Sequence, residues 1–102
     1  EARLAAFLAD VADGTRDAMA LIDDLAAWRA RAEAAAAAMK GATPARAVAL
    51  LAQRPAVSAP AAAGALGLSD DAALRVLMRL ERAGLAREIT GQGRFRVWAA
   101  RL

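Results

Sequence analysis

From Ala2 to about Met39 apolar residues return every three or four positions, and no proline interrupts them. With Leu4 at the first position of a heptad, the seam runs Leu4, Phe7, Val11, Gly14, Ala18, Leu21, Leu25, Trp28, Ala32, Ala35 and Met39, and Leu8 and Ile22 widen it. This spacing, in a stretch dominated by Ala, Leu, Arg, Glu and Asp, predicts one long helix with an apolar stripe. Such a helix is about 55 Å long at 1.5 Å per residue, more than a sixty-residue domain can cover. Part of its stripe therefore faces a second copy of the chain or another domain of the same protein. Asp13-Gly14-Thr15 is the one place where the helix can break into a hairpin instead.

Lys40 and Gly41 end this segment, with Gly41 placed for a left-handed turn. Thr43 is positioned to cap the next helix and Pro44 to occupy its first turn, while Ala47, Val48, Leu50 and Leu51 form a buried side that stops at Arg54-Pro55. Ala56-Val57 has room for a single bridge of strand. Ser58 begins a short helix over Ala61 to Leu66, which Gly67 closes. Ser69 caps another helix that opens on Asp70-Asp71, buries Ala73, Val76, Leu77 and Leu80, and ends at Gly84. Leu85 to Ile89 and Phe95 to Ala99 predict two strands joined by Thr90-Gly91-Gln92-Gly93-Arg94, with Phe95 and Val97 as core candidates.

The expected fold is mainly α: a long N-terminal helix over 1–41, then a winged helix-turn-helix with a C-terminal β-hairpin over 43–102. Ala63 supplies the tiny residue that two steeply crossing helices require, and Gly67, four residues on, supplies the turn. A plain three-helix bundle does not account for the hairpin.

Charge divides unevenly along this layout. Residues 1–40 carry five basic and seven acidic side chains, whereas residues 41–102 carry nine and four, and every cation of the second part is arginine. Arginine forks onto phosphate and guanine. On the helix after the turn, Arg75, Arg79 and Arg82 lie opposite the buried stripe; on the hairpin, Gln92, Arg94 and Arg96 occupy the wing. These six are the candidate DNA-binding residues, and double-stranded DNA is the expected partner. Asp70, Asp71 and Ala72 stand where base-reading side chains usually lie, so contact with the backbone is expected more than base reading. The hairpin alternation puts Trp98 on the arginine side, where packing against the long helix or Arg96 is its expected role. Leu4, Phe7, Val11, Leu21, Leu25 and Trp28 are the candidate dimerisation residues.

Cysteine and histidine are absent, which removes disulfides, thiolate nucleophiles and the commonest metal ligands and acid–base groups. No catalytic residue, metal or cofactor is expected. No apolar run reaches the roughly 18 residues of a membrane span, and no signal peptide pattern is present, so a cytoplasmic protein without a membrane partner is expected. The chain opens on Glu1 without a methionine and is expected to be a segment of a longer protein.

The run VSAPAAAGALGLSDDAALRVLMRLERAGLAREITGQGRFRVWA resembles the winged helix-turn-helix that closes many bacterial Fic-domain proteins and a related group of uncharacterised bacterial helix-turn-helix proteins. Leu80, Glu81, Gly84, Leu85, Arg87, Glu88, Ile89, Thr90, Gly91, Gly93, Arg94 and Arg96 carry that resemblance, and RLAAFLADVADGTRDAMALIDDLAAWRARAEAA is similar to the helical segment that precedes the tail. The His-Pro-Phe motif and glycine-rich anion loop of Fic AMP transfer are missing, so the resemblance implies a DNA-binding or regulatory module of a transcriptional-regulator type. The alternative that it implies is an interaction or regulatory domain of a larger Fic-like protein without DNA binding.

Overall fold

A computed structural model of the chain describes residues 2–91 and 93–102. Helix α1 runs unbroken over Ala2–Ala37, so Gly14 does not divide it. Thr15 Oγ1 turns inward to donate to the Val11 carbonyl at 2.9 Å, and Arg16–Asp13 and Arg29–Glu33 pair along the surface. The helix stops four residues short of Gly41. Its last turn tightens as Ala38 N donates to Ala35 O at 3.2 Å and Met39 N to Ala36 O at 3.0 Å. Gly41 then reverses the chain at a φ of 87°.

Helix α2 spans Thr43–Gln53 with Pro44 in its first turn. Ala42, not Thr43, holds the N-cap position, and no side chain caps it. Strand β1, Val57–Ser58, leads into α3, Ala59–Leu66, where Ser58 Oγ accepts from Ala61 N at 3.2 Å. Gly67 adopts φ 67°, and the amide of Leu68 closes the turn on Ala63 O at 3.0 Å. Helix α4, Asp70–Arg82, starts on Ser69, whose hydroxyl accepts from Ala72 N at 3.1 Å. Strands β2, Ala86–Glu88, and β3, Val97–Ala100, complete an antiparallel sheet of order β1-β3-β2, in which Trp98 lies opposite both Val57 and Glu88. The chain is thus mainly helical, a long N-terminal helix followed by a winged helix-turn-helix with its hairpin at the C-terminus.

One core joins these elements. Trp28, Val48, Val57, Leu77, Leu80 and Trp98 are its largest fully buried side chains. Both indoles are tied: Trp28 Nε1 donates to Leu85 O at 2.8 Å, and Trp98 Nε1 to Glu81 Oε2 at 3.2 Å. Trp98 therefore packs, and Arg96 lies over it. The last turns of α1 enter this core through Trp28, Ala32 and Ala36, and the small alanines let α2 approach closely.

Trp28 requires a correction. It continues the apolar seam, yet it is 0% exposed inside the chain's own core, and so it is not part of any open association surface. Leu25 is half-buried, whereas Leu4, Phe7, Val11, Leu21 and Ile22 are all exposed. Among the described residues no helix is long and apolar enough to cross a membrane.

Candidate nucleic-acid interface

The short α3 and the Gly67 turn fix the direction in which α4 presents its outer face. Ala62 and Ala63 are buried and small, which brings α4 against α3, and Ala73, Val76, Leu77 and Leu80 hold it there. At 100° per residue these four leave Asp71, Arg75 and Arg82 along the ridge farthest from the core. Arg75 and Arg82 are exposed. Arg79 sits on the flank nearer α2, half-exposed, and its Nη1 donates to the Lys40 carbonyl at 3.4 Å. The opposite flank meets the hairpin through Glu81 and Trp98.

Arg75, Arg79 and Arg82 line one cleft of about 420 Å³ together with Lys40, Thr43 and Ala72. Four cationic side chains border it, and no carboxylate does. Among the described residues the ion pairs are Arg16–Asp13 and Arg29–Glu33, both on α1, so the arginines of α4 and the wing keep their charge unneutralised. Like charges gathered in this way raise the local potential for a polyanion. At the other end of α4, Asp70 and Asp71 are exposed beside the Ser69 cap, where they complement the helix dipole.

The wing is organised by a carboxylate. Glu88 Oε1 accepts from the Thr90 amide at 3.0 Å and from the Thr90 hydroxyl, while Oε2 accepts from the Gly91 amide at 2.8 Å. The Thr90 hydroxyl first, with these amides, holds the Glu88 carboxyl below the ordinary glutamate value against the opposing effect of desolvation. Ile89 N then closes the hairpin on Val97 O at 2.8 Å.

Phe95 also requires a correction. It is 83% exposed and is not a core residue. Its φ of 54° breaks the extended alternation that would have paired it with Val97, and β3 begins only at Val97. The Arg94 guanidinium lies 5.6 Å from the Phe95 ring centroid, at the tip of the wing, and that of Arg96 lies 4.9 Å from Trp98. Arg96 is therefore braced on a buried indole, whereas Arg94 is exposed. Gln92, the remaining candidate on the wing, lies outside the described residues.

Three residues join the site that the periodicity did not single out for it. Lys40 and Thr43 reach α4 from the joint between α1 and α2, a contact across 39 positions of sequence that carries no local signal. Glu88 is legible only as the acid two residues before Thr90-Gly91. Among the described residues no cluster of acidic side chains is spaced to hold a metal ion.

Neither a curated protein nor a solved structure matches the chain. A family does, and it covers α2, the turn, α4 and the hairpin: residues 45–100 match the HTH DNA binding domain, which is more than half of the chain, and the chain belongs to that family.

Proposed function

We propose that residues 43–102 bind double-stranded DNA with α4 in the major groove and the wing on the neighbouring backbone. In this reading Arg75 and Arg82 meet the phosphates that wall the groove from the outer ridge. Arg79 and Lys40 meet phosphate at its edge, and Arg94 and Arg96 do so from the hairpin. The observation that carries it is the gathering of Arg75, Arg79, Arg82 and Lys40 around one cleft without a carboxylate, on the face left outward by the helix-turn-helix packing. Asp70 and Asp71 oppose phosphate at the first turn of α4, so the contacts position the module more than they read bases. Residues 1–41 serve association: the exposed Leu4, Phe7, Val11 and Leu21 join two copies, with Leu25 at the border, in a cytoplasmic bacterial protein of transcriptional-regulator type. Two copies double the phosphate contacts, which a small basic module needs at physiological salt.

Duplex affinity measured against salt concentration tests this. Each phosphate contact contributes a slope of about 0.9 in log K against log salt. The triple variant Arg75→Ala/Arg79→Ala/Arg82→Ala is expected to flatten the slope by about 2 to 3. An unchanged slope would sink the proposal. The acidic first turn favours a second reading, a protein-interaction module with solubilising arginines; binding that is absent at low salt for the unsubstituted chain supports it.

A further inference from the structure

We infer that two copies of the chain pair through the free half of α1 in antiparallel fashion, with each residue i facing residue 25 − i of the partner. This rests on the association proposed above and specifies its geometry.

Three observations lead to it. The apolar seam is open only over its first part: Leu4, Phe7, Val11 and Leu21 are exposed, while from Trp28 onward the same seam is covered by the chain's own core. A parallel, in-register copy following the seam would have to place its own residues 25–37 where that core already stands. An antiparallel copy avoids this. Residue 2 then faces residue 23, so the whole open length is used, and each helix stops where the other chain's domain begins.

Size complementarity gives the register. In the antiparallel alignment Leu4 faces the partner's Leu21, Phe7 faces the partner's Ala18 and Val11 faces the partner's Gly14. Phe7 and Val11 thus each meet a small residue of the partner, while Leu4 meets a residue of its own size. Parallel pairing sets Phe7 on the partner's Phe7 and Gly14 on the partner's Gly14, a bulge followed by a gap.

The wall at the end of the seam has a place for the partner's first turn. A cleft of about 400 Å³ opens there, lined by Leu21, Leu25, Leu51, Pro55 and Leu102 among others. In the antiparallel alignment the partner's Leu4 arrives at this cleft. Charge is arranged accordingly at the ends, where Arg3 flanks the partner's Asp24. Nearer the centre Asp10 flanks the partner's Asp17, and this repulsion weakens the pair.

The chain has no cysteine, so introduced thiols report contacts cleanly. Full-length Leu4→Cys and Leu21→Cys proteins, mixed in a glutathione redox buffer, are expected to form the mixed disulfide about tenfold more than either self-linked species. In the antiparallel pair two copies of position 4 are about 25 Å apart, well beyond the reach of a disulfide. Dominant self-linking of Leu4→Cys would show parallel pairing, overturning this geometry while leaving the association intact. A strictly monomeric unsubstituted chain in sedimentation at tens of micromolar would overturn the association itself. Asp10→Arg, which places a guanidinium beside the partner's Asp17, is expected to tighten the dimer several-fold, and an unchanged or weaker dimer would overturn the register.

Discussion

The two halves of α1 share one helix and one heptad pattern, yet their surroundings are opposite. The first half carries the larger aliphatic side chains, Leu4, Val11, Leu21 and Ile22, with Phe7, and leaves them in solvent. The second half carries one tryptophan and a run of alanines, and its stripe of Trp28, Ala32 and Ala36 is sealed into the core. Small residues are what permit the sealing, because α2 must come close to the α1 backbone. Bulky residues on the free half would hold such an element away and suit the wider spacing of a helix pair. Periodicity therefore identifies the face of a helix, while residue size indicates what kind of neighbour the face accepts.

The sharpest way to break this contrast is to truncate an aromatic residue in each half. Trp28→Ala removes a fully buried indole and its hydrogen bond to Leu85, and a loss of about 3 to 5 kcal/mol in denaturant unfolding is expected. Phe7→Ala, measured in dilute protein, is expected to shift stability by less than about 0.5 kcal/mol. Equal losses would mean that the free half is packed as tightly as the sealed one.

Enlarging a small residue gives the next largest effect. Ala32→Leu forces extra methylenes between α1 and α2 and is expected to cost about 1 to 3 kcal/mol. Ala18→Leu on the open seam leaves the unfolding midpoint of dilute protein unchanged. A tolerated Ala32→Leu would contradict the idea that alanine is there to allow close approach.

The smallest effect concerns Gly14, where an added Cβ meets nothing within 4 Å. Gly14→Ala is expected to strengthen the local helix by about 1 kcal/mol, read as slower amide exchange around residue 14 with an unchanged global midpoint. A raised global midpoint would show that the free half unfolds together with the core.

Much of this was legible in the residues, and the failures are physically specific. The buried stripe Ala73, Val76, Leu77 and Leu80, the caps at Ser58 and Ser69 and the turn at Gly67 follow local rules, and the chain obeys them. Thr43 did not cap because it is itself the first helical residue, with Ala42 at the N-cap. Phe95 left the core because one left-handed residue reversed an alternation that assumes extended backbone throughout. Trp28 left the association seam because periodicity cannot say where the covering of a stripe changes from another molecule to the chain itself. In the candidate site, the arginines of α4 and the wing were visible as a spacing, whereas their companion Lys40 arrives by tertiary packing alone.

The unbroken course of α1 also turns residue count into orientation. The stripe at Leu4 to Leu21 and the anchor at Trp28 belong to one rigid rod, so the direction of the stripe relative to α4 is set by the number of residues between them. One inserted residue would swing the stripe by about 100°, while seven would lengthen the rod by about 10 Å and bring the stripe to within about 20° of its starting bearing. The helix is in this sense a vernier between whatever is gripped at its free end and the arginine ridge at the other. Its length and its phase are separately adjustable by insertion.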